Sequence, residues 1–288
     1  MLQLPLPLDG AAMRWRQGRA SYRPQREQFD PRHFGVEQIG DAAARAFVLE
    51  HHYSRSYPAA IAAFGLIERT SHSDRLTGVA VFSVPMNGKA ARRYGAADAP
   101  FCDLGRFVLL DEIAGNAETW FLSRALAGLS SVKTDASSRP LHHLVLAYSD
   151  PQPRTAANGD VIFAGHVGGI YAAASAIYLG RGTARVHWVA QDATLISPRA
   201  LSKLRNGERG DAYVYEQLLR HGAPRRRLNE PAADYVSRAL AEGPFRRLRH
   251  RGNHVYCLPT GTHRMRRAAR GLKTFAARPT HCDPVVFN

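Results

Sequence analysis

Several polar side chains in this sequence have the types and positions that proton transfer requires, and His52 is the first of them. A histidine has an ordinary pKa near ~6.5 and can remove a proton from a weak nucleophile at neutral pH. His52 follows His51 at the end of a segment with helical periodicity and is followed by Tyr53. We interpret His52 as a candidate general base and the adjacent Tyr53 as a second candidate catalytic residue. The alternative is a histidine that only satisfies a carbonyl at the helix end.

A carboxylate and a guanidinium come at or inside apolar runs. Asp150 follows the run 143–148, and groups that bind ligands in open α/β sheets lie at the carboxyl ends of strands. Asp150 is therefore a candidate catalytic residue, or else a turn residue before Pro151. Arg106 lies within the run 104–110, and a buried arginine needs an anionic partner. That partner is a cofactor, a phosphate or Asp150, and the alternative is a structural ion pair.

Two further side chains lie in a glycine-rich and alanine-rich segment. Tyr171 can stack on a base or donate its hydroxyl, or it can be an ordinary core tyrosine. His166 lies between glycines and can contact a phosphate or a base edge. Two histidines and a carboxylate suit iron, so His52 and Asp150 are possible metal ligands. Spacing gives this metal site no support, because the sequence contains neither C-x-x-C nor H-E-x-x-H.

The elements that must position these side chains follow from periodicity and turn residues. The sequence predicts an irregular lead-in over 1–40, a helix over 42–51 capped by Asp41, and a helix that begins at Asn116. It predicts strands at 60–68, 76–84, 104–110, 143–148, 185–190 and 254–258, a loop over 151–165, and further helices at 169–178, 211–221 and 232–242. This order indicates an α+β (α/β-like) fold with a mixed central sheet flanked by helices.

The charge of the chain is strongly positive and unevenly placed. Lys and Arg number 39 against 24 Asp and Glu, and the stretch from Arg199 to the end has 19 against 7. Two of its arginine clusters are candidate DNA contacts: Arg225, Arg226 and Arg227; and Arg246, Arg247, Arg249 and Arg251. Guanidinium groups suit phosphate, and each phosphate contact releases counterions. We therefore expect a basic extension over 199–288 that contacts nucleic acid, and the alternative is a solvated basic surface.

Other features limit the class of protein. Three scattered cysteines argue against a disulfide framework and for a reducing compartment, so we expect a cytoplasmic protein. No apolar run approaches the ~18–20 residues that span a bilayer, and the first ten residues do not resemble a secretory signal. We expect a monomer with no obligate protein partner and no membrane.

Four landmarks occur in order along residues 45–190. They are His52-Tyr53-Ser54 with Pro58, LGRFVL from Leu104 followed by Asn116 and Ser123, Tyr148-Ser149-Asp150, and GHVGGIY from Gly165 closed by Tyr178-Leu179-Gly180. A weaker match, His254-Val255-Tyr256, lies in the basic part of the chain. Together the landmarks resemble the Mom family of Mu-like phage DNA-modification proteins, which have a GNAT-type acyltransferase fold.

The resemblance implies an enzyme that converts the N6 amino group of adenine in double-stranded DNA to a carbamoylmethyl derivative, which protects the DNA from restriction. It implies a GNAT-like catalytic core over 41–198. Functional positions of the family are matched by His52, Tyr53, Arg106, Asp150 and Tyr171, and a further one by Ser123. Asn116, His166 and Gly168, which belong to the same landmarks, are additional candidate binding residues for the substrate or cofactor. The target adenine must leave the duplex, and Tyr53, Tyr57 and Tyr171 are candidates to stack on it.

Two departures from the family pattern are visible. The segment between Asp150 and Gly165 is long, so that an inserted hairpin would have to leave both of its ends in place. The pyrophosphate loop R/Q-x-x-G-x-G/A of acyl-CoA enzymes is absent, and Asp111 and Glu112 stand where it would be. The donor is therefore open between acetyl-CoA and another group. The alternatives are an acyl-CoA N-acyltransferase of a protein, an RNA or a small amine, and a DNA-binding protein without catalysis.

Overall fold

The computed structural model describes residues 13–16, 19–23 and 27–284. They divide into two compact units. The first unit contains the described residues up to Pro151 together with 166–182 and 253–282, and the second contains 152–165, 183–252, 283 and 284. Within the described ranges, no helix has the length and apolar character needed to cross a membrane.

Groups of two or three strands are separated by helices along the described chain. The strands are β1 (Met13–Arg16), β2 (Arg19–Tyr22), β3 (Phe34–Gln38), β4 (Ala60–Arg69), β5 (Asp74–Ser83), β6 (Phe101–Leu109), β7 (Leu144–Ser149), β8 (Arg154–Thr155), β9 (Val161–Phe163), β10 (Ile177–Arg181), β11 (Arg185–Val189), β12 (Leu195–Ile196), β13 (Arg246–His250) and β14 (His254–Pro259). The helices are α1 (Asp41–His51), α2 (Ala117–Val132), α3 (Gly169–Ala173), α4 (Pro198–Asn206), α5 (Asp211–Arg220), α6 (Ala232–Glu242) and α7 (His263–Ala269).

The first unit is built on a seven-stranded mixed sheet of order β10-β14-β7-β6-β5-β4-β3. Neighbouring strands are antiparallel except β6 and β7, which are parallel. Pairing between β6 and β7 covers only Phe101–Asp103 with Leu144–Leu146, and the two strands part beyond these residues. The prediction of an α+β fold with a large mixed sheet is confirmed.

Helices pack on both faces of this sheet because each has one apolar stripe. Ala44, Phe47 and Val48 of α1 are buried, and α1 contacts β4, β5 and β6. On α2 the buried residues Leu122, Ala125 and Leu129 follow the predicted i, i+3, i+7 spacing. A fully buried Leu or Phe stabilises the fold by ~1.5–3 kcal/mol, so these stripes fix the positions of both helices.

The second unit has its own small sheet and core. Its three-stranded sheet has the order β12-β11-β13, and β8 and β9 form a separate hairpin. Helices α4, α5 and α6 surround a core that includes Leu201, Leu218, Tyr235 and Val236. The exposed positions Arg247 and Arg249 alternate along β13 with the half-buried Arg246 and Leu248.

Four local predictions were wrong. The lead-in contains the β1–β2 hairpin and β3, in place of irregular chain, and residues 1–12 lie outside the described residues. The 151–165 segment contains the β8–β9 hairpin. Helix α3 ends at Ala173, because Ser175 adopts a positive φ of 58° and Ile177 begins β10. Gly40, not Asp41, stands at the N-cap of α1.

The boundary expected at residue 198 differs from the division of the structure. Strand β14 lies between β7 and β10, so residues of the basic stretch complete the large sheet. The second unit takes in residues from both sides of 198. Charge composition therefore does not mark a structural boundary here. Cys102 and Cys257 are buried thiols that form no disulfide, as expected, and burial raises the pKa of both to about 12.

Candidate active site

His52 lies at the turn that ends α1. Its backbone N–H completes the helix by donating to Val48 O at 3.0 Å, and its own extended conformation ends the helix. The side chain is buried, with 8% of its surface exposed. The backbone N–H of Ser54 donates to Nδ1 of His52 at 3.1 Å, and the Ser54 hydroxyl lies 2.9 Å from the same atom.

These contacts define the protonation state of His52. Burial, then the charges of Arg106 and His166, hold the pKa of His52 well below its usual range, so the ring is neutral at pH 7. A neutral imidazole carries one proton, and Nδ1 accepts from a backbone N–H. The proton is therefore on Nε2, which makes Nε2 a hydrogen-bond donor.

Tyr53 joins this histidine to the β1–β2 hairpin. Its ring stacks on the His52 ring at a centroid distance of 4.3 Å and 30° between planes. Trp15, on β1, packs edge-to-face with the Tyr53 ring at a centroid distance of 6.0 Å. The sequence does not indicate Trp15, which comes from a hairpin that periodicity does not predict. The aromatic rings of His52, Tyr53 and Trp15 thus form one continuous cluster between the turn and the hairpin.

Arg106 fastens the same turn to β6. Its Nε donates to Ser56 O at 2.7 Å, one terminal nitrogen donates to the Ser56 hydroxyl at 2.6 Å, and the other bonds to Gly105 O. In the described part of the chain it has no carboxylate partner, so the ion pair with Asp150 is not formed. Burial lowers the pKa of Arg106, an effect that Tyr53 partly opposes. A desolvated positive charge is therefore left without a neutralising anion of the protein.

Asp150 and His166 meet although the chain between them is long. The backbone N–H of His166 donates to Asp150 O at 2.8 Å, which closes the insertion at its base. The β8–β9 hairpin thus lies within the insertion without separating its two ends. His166 therefore lies beside the residue that follows β7, and its charge lowers the pKa of His52.

Helix α3 places Tyr171 against a strand from the far end of the chain. Gly168 has a φ of +79°, and a Cβ there would approach within 2.6 Å of the Tyr256 ring and 2.9 Å of Tyr171. Tyr171 packs on Tyr256 at 5.3 Å, and the Tyr256 hydroxyl donates to Val167 O. Burial and the neighbouring Tyr53 raise the pKa of Tyr171, so its hydroxyl stays protonated. Gly168 thus serves close packing around Tyr171.

Two residues beside Tyr256 were not predicted as site residues. The Tyr178 hydroxyl lies 2.8 Å from Nδ1 of His254, and the Tyr178 ring packs on Tyr256 at 5.2 Å. The signal was present in the weak match His254-Val255-Tyr256. The sequence alone could not place this match near Tyr171, because its position follows from the pairing of β14 with β7, and no local pattern shows such a long-range pairing.

Three other predicted residues make their contacts outside the His52–Tyr53 stack and the Tyr171–Tyr256 packing. Asn116 stands at the N-cap of α2 without a capping side-chain bond and donates to Glu27 O at 2.9 Å. Ser123 is exposed and bonds its own helix at Trp120 O. Tyr57 lies under the Arg45 guanidinium, and burial together with Asp41 raises its pKa to about 12. Asn116 and Ser123 belong to α2 and bond Glu27 and Trp120, whereas Tyr57 is part of the His52 turn but packs against Arg45.

The start of α2 already binds an anion of the protein. A carboxylate oxygen of Glu27 accepts from the backbone N–H of Gly115 at 3.0 Å, and Glu118 pairs with Arg14. Asp111 accepts from the Ser21 hydroxyl, and Glu112 pairs with Arg75. A pyrophosphate at this helix start would meet four acidic residues, in line with the missing glycine-rich loop.

A metal site receives no support from the ligand set. Among residues whose placement is described, no three His, Cys, Asp or Glu side chains come together as a metal site would require. His52 uses Nδ1 for Ser54, which leaves only its protonated Nε2 for any ligand. The described side chains therefore do not fit an iron site built on His52 and Asp150.

The predicted DNA-binding arginines lie in the second unit and differ in availability. Arg247, Arg249 and Arg251 are exposed, whereas Arg246 donates to Thr155 O at 2.7 Å. Arg225, Arg226 and Arg227 are also exposed. Their loop is held by Arg238, which pairs with Glu230 at 2.7 Å and bonds Arg225 O.

A comparison with family models shows which family the chain belongs to. No curated protein matches the chain. The model of the Mom protein family matches residues 33–230, which include the His52 turn, Arg106, Asp150, His166 and Tyr171. Because that match covers well over half of the sequence, the chain belongs to the Mom protein family.

Proposed function

We propose that this protein transfers a carbamoylmethyl group to N6 of adenine in DNA, on a GNAT-type core. The observation that supports the proposal is the attachment of the turn after α1 to β6, where Arg106 bonds the backbone and the hydroxyl of Ser56. The charges of Arg106 and His166 also lower the pKa of His52. Family membership supports DNA modification as the activity, and the carbamoylmethyl product comes from the resemblance.

Two bonds form and two bonds break in the reaction. N6 of adenine forms a bond to the methylene carbon of the transferred group and loses a proton, while the leaving group of the donor takes its bonding electron pair. We assign the proton acceptor to Asp150, because a carboxylate at the end of β7 can accept and Nε2 of His52 already carries a proton. His52 then donates a hydrogen bond to the base or to the transferred group.

Arg106 and the aromatic residues serve the donor and the base. The positive charge of Arg106, without a carboxylate partner, stabilises negative charge on the donor as its leaving group departs. Tyr53 offers a half-exposed ring for the flipped adenine. Tyr171 is almost fully buried, so we assign it a structural role in the site through its packing on Tyr256. We place the donor, a molecule that carries a leaving group on the methylene carbon next to its carboxamide, in the gap between β6 and β7.

Nucleoside mass spectrometry tests the proposal directly. DNA from cells that express the protein is digested, and its nucleosides are compared with those from cells that express His52→Ala. We expect an adenosine heavier by one carbamoylmethyl group, lost in the variant. Only ordinary nucleosides from cells with abundant folded protein would refute the proposal, and a different added mass would refute the carbamoylmethyl assignment.

The second unit is expected to supply DNA backbone contacts. Cross-strand partners share a face of a sheet, so Arg247 lies beside Trp188 and Arg249 beside Val186. This face combines cations with apolar surface and suits a phosphate backbone. We expect Arg247→Glu/Arg249→Glu to reduce the slope of log affinity against log salt by about 2, because each of the two arginines neutralises one phosphate.

Fluorescence anisotropy with a DNA duplex at several salt concentrations measures that slope. Arg199→Glu is the matched control, because Arg199 is an exposed arginine of the same unit that already pairs with Glu208. A slope that falls equally in both variants would indicate a general charge effect, and an unchanged slope in the double variant would remove this face from the interface.

A further inference from the structure

An apolar tip projects from the loop that follows β5. Met86 has 89% of its surface exposed and Val84 has 56%, with Pro85 between them. Exposed methionine and proline are among the side chains that DNA-bending proteins insert between base pairs. The tip has no packing role in the described structure, since Met86 makes almost no contact with the rest of the protein. Its exposure therefore needs another explanation.

The base of this loop is fixed, although its tip is exposed. The N–H of Val84 donates to Ala59 O at 2.9 Å, and the backbone of Met86 lies near the carboxyl group of Asp103, where it opposes the rise that burial causes in the pKa of that group. On the far side of the tip, the Asn87 side chain accepts from Lys89 N at 2.9 Å. A tip that is bonded to Ala59 at its first residue and whose backbone is turned by its own Asn87 side chain can enter a base stack at a reduced entropic cost of becoming ordered.

The loop lies next to the candidate active site. Ala59 follows the turn that contains His52 and Tyr53, and it is bonded to Val84. At Gly105, a Cβ would meet Ser83 at 2.5 Å and Pro58 at 2.9 Å, so the end of β5 and the end of that turn close on the residue before Arg106. A base leaving the stack at the tip would have only a short path to Tyr53.

The charges beside the tip identify its partner. Lys89, Arg92 and Arg93 are exposed, and no acidic residue occurs between Val84 and Ala97. Cations beside an apolar tip fit a phosphate backbone beside a gap in stacked bases. An enzyme that acts on adenine in a duplex must extrude the base and fill or tolerate the gap.

We propose that residues 84–89 form a DNA wedge, in which Met86 enters the base stack and fills the space left by the target adenine. The inference rests on the proposed function. It assigns to this loop the separation of the base from its neighbours, a step distinct from the transfer at the His52 turn.

Three variants test the wedge. We expect Met86→Ala to reduce the modified fraction of adenosine in plasmid DNA by about tenfold or more at matched protein level, because the gap is left open. Met86→Leu should restore it, since leucine fills a similar volume. Val132→Ala, at another exposed apolar residue of the same unit, is the control and should behave as wild type.

A fluorescent base separates the wedge from other effects. Duplexes carry 2-aminopurine at an adenine that the wild-type protein modifies in cells. Wild type should increase its fluorescence several-fold on binding, and Met86→Ala should not, while the two should bind equally to a duplex whose target base is already unpaired.

The outcomes distinguish the two proposals. Absence of modified adenosine with wild type would refute the proposed function. Modification by wild type and equally by Met86→Ala, with equal 2-aminopurine signals, would refute the wedge and leave the function intact. Weaker binding of Met86→Ala to the unpaired duplex as well would also refute the wedge, because it would indicate an interaction unrelated to base extrusion.

Discussion

His52→Gln should retain DNA modification to within about tenfold of wild type, whereas His52→Ala should lose about 10²–10³-fold. The side-chain amide of glutamine can place an N–H donor near the position of Nε2. It cannot act as a base. Because Nδ1 of His52 accepts from the Ser54 N–H, the histidine offers a donor to the site, and glutamine can replace that function. This expectation revises the interpretation of His52 as the general base.

Asp150→Asn is the companion variant. The two side chains have nearly the same shape, but an amide cannot accept the proton from N6. If Asp150 is the base, activity should fall by about 10²–10⁴-fold. Modified adenosine formed per unit time at equal protein level measures all three variants. Loss of activity in His52→Gln as complete as in His52→Ala, with activity retained in Asp150→Asn, would return the base to His52.

A stability measurement checks the protonation state of His52 independently of activity. Burial, Arg106 and His166 lower its pKa in the folded protein. Below about pH 6.5 the unfolded chain therefore takes up a proton at this residue that the folded chain does not, and stability falls as the pH decreases. His52→Gln has no such group. Urea unfolding between pH 7.5 and 5 should show a smaller loss in that variant, and parallel pH curves would contradict a neutral buried His52.

The sequence predicted single elements of the first unit better than their assembly. Helix α2 and strands β4 to β7 carry strong apolar periodicity, and their existence and type were predicted correctly. The β1–β2 hairpin has strands of only four residues, too short for a period to be visible. The position of β14 in the sheet depends on pairing with β7, more than a hundred residues earlier in the chain. Local patterns contain no information on such a partner.

The candidate site shows the same limit. The ordered landmarks identified His52, Arg106, Asp150, His166 and Tyr171, and the structure brings their segments together. They could not show that Arg106 bonds the Ser56 backbone instead of Asp150, because that choice depends on where the turn after α1 crosses β6. Nor could residue types show the tautomer of His52, which a backbone N–H determines.

Arg106→Met should separate activity from stability. The guanidinium makes three hydrogen bonds to neutral groups, each worth about 1 kcal/mol, and removing them weakens the attachment of the turn to β6. The same substitution removes a desolvated charge that has no carboxylate partner, whose burial costs several kcal/mol. The two terms oppose each other, so we expect the free energy of unfolding to change by less than about 1 kcal/mol.

Activity has no such compensation. The charge of Arg106 lies beside His52 and Tyr53, where the proposed reaction develops negative charge on the departing group, so Arg106→Met should reduce modification by about 10²–10³-fold. Arg75→Met is the control, because Arg75 is exposed, pairs with Glu68 and Glu112, and should change neither property by much. Urea unfolding and nucleoside analysis on the same preparations measure the pair of effects. A loss of several kcal/mol that accounts for the lost activity would make Arg106 a structural residue, whereas inactivity in a stable protein would show that its charge is kept for the reaction.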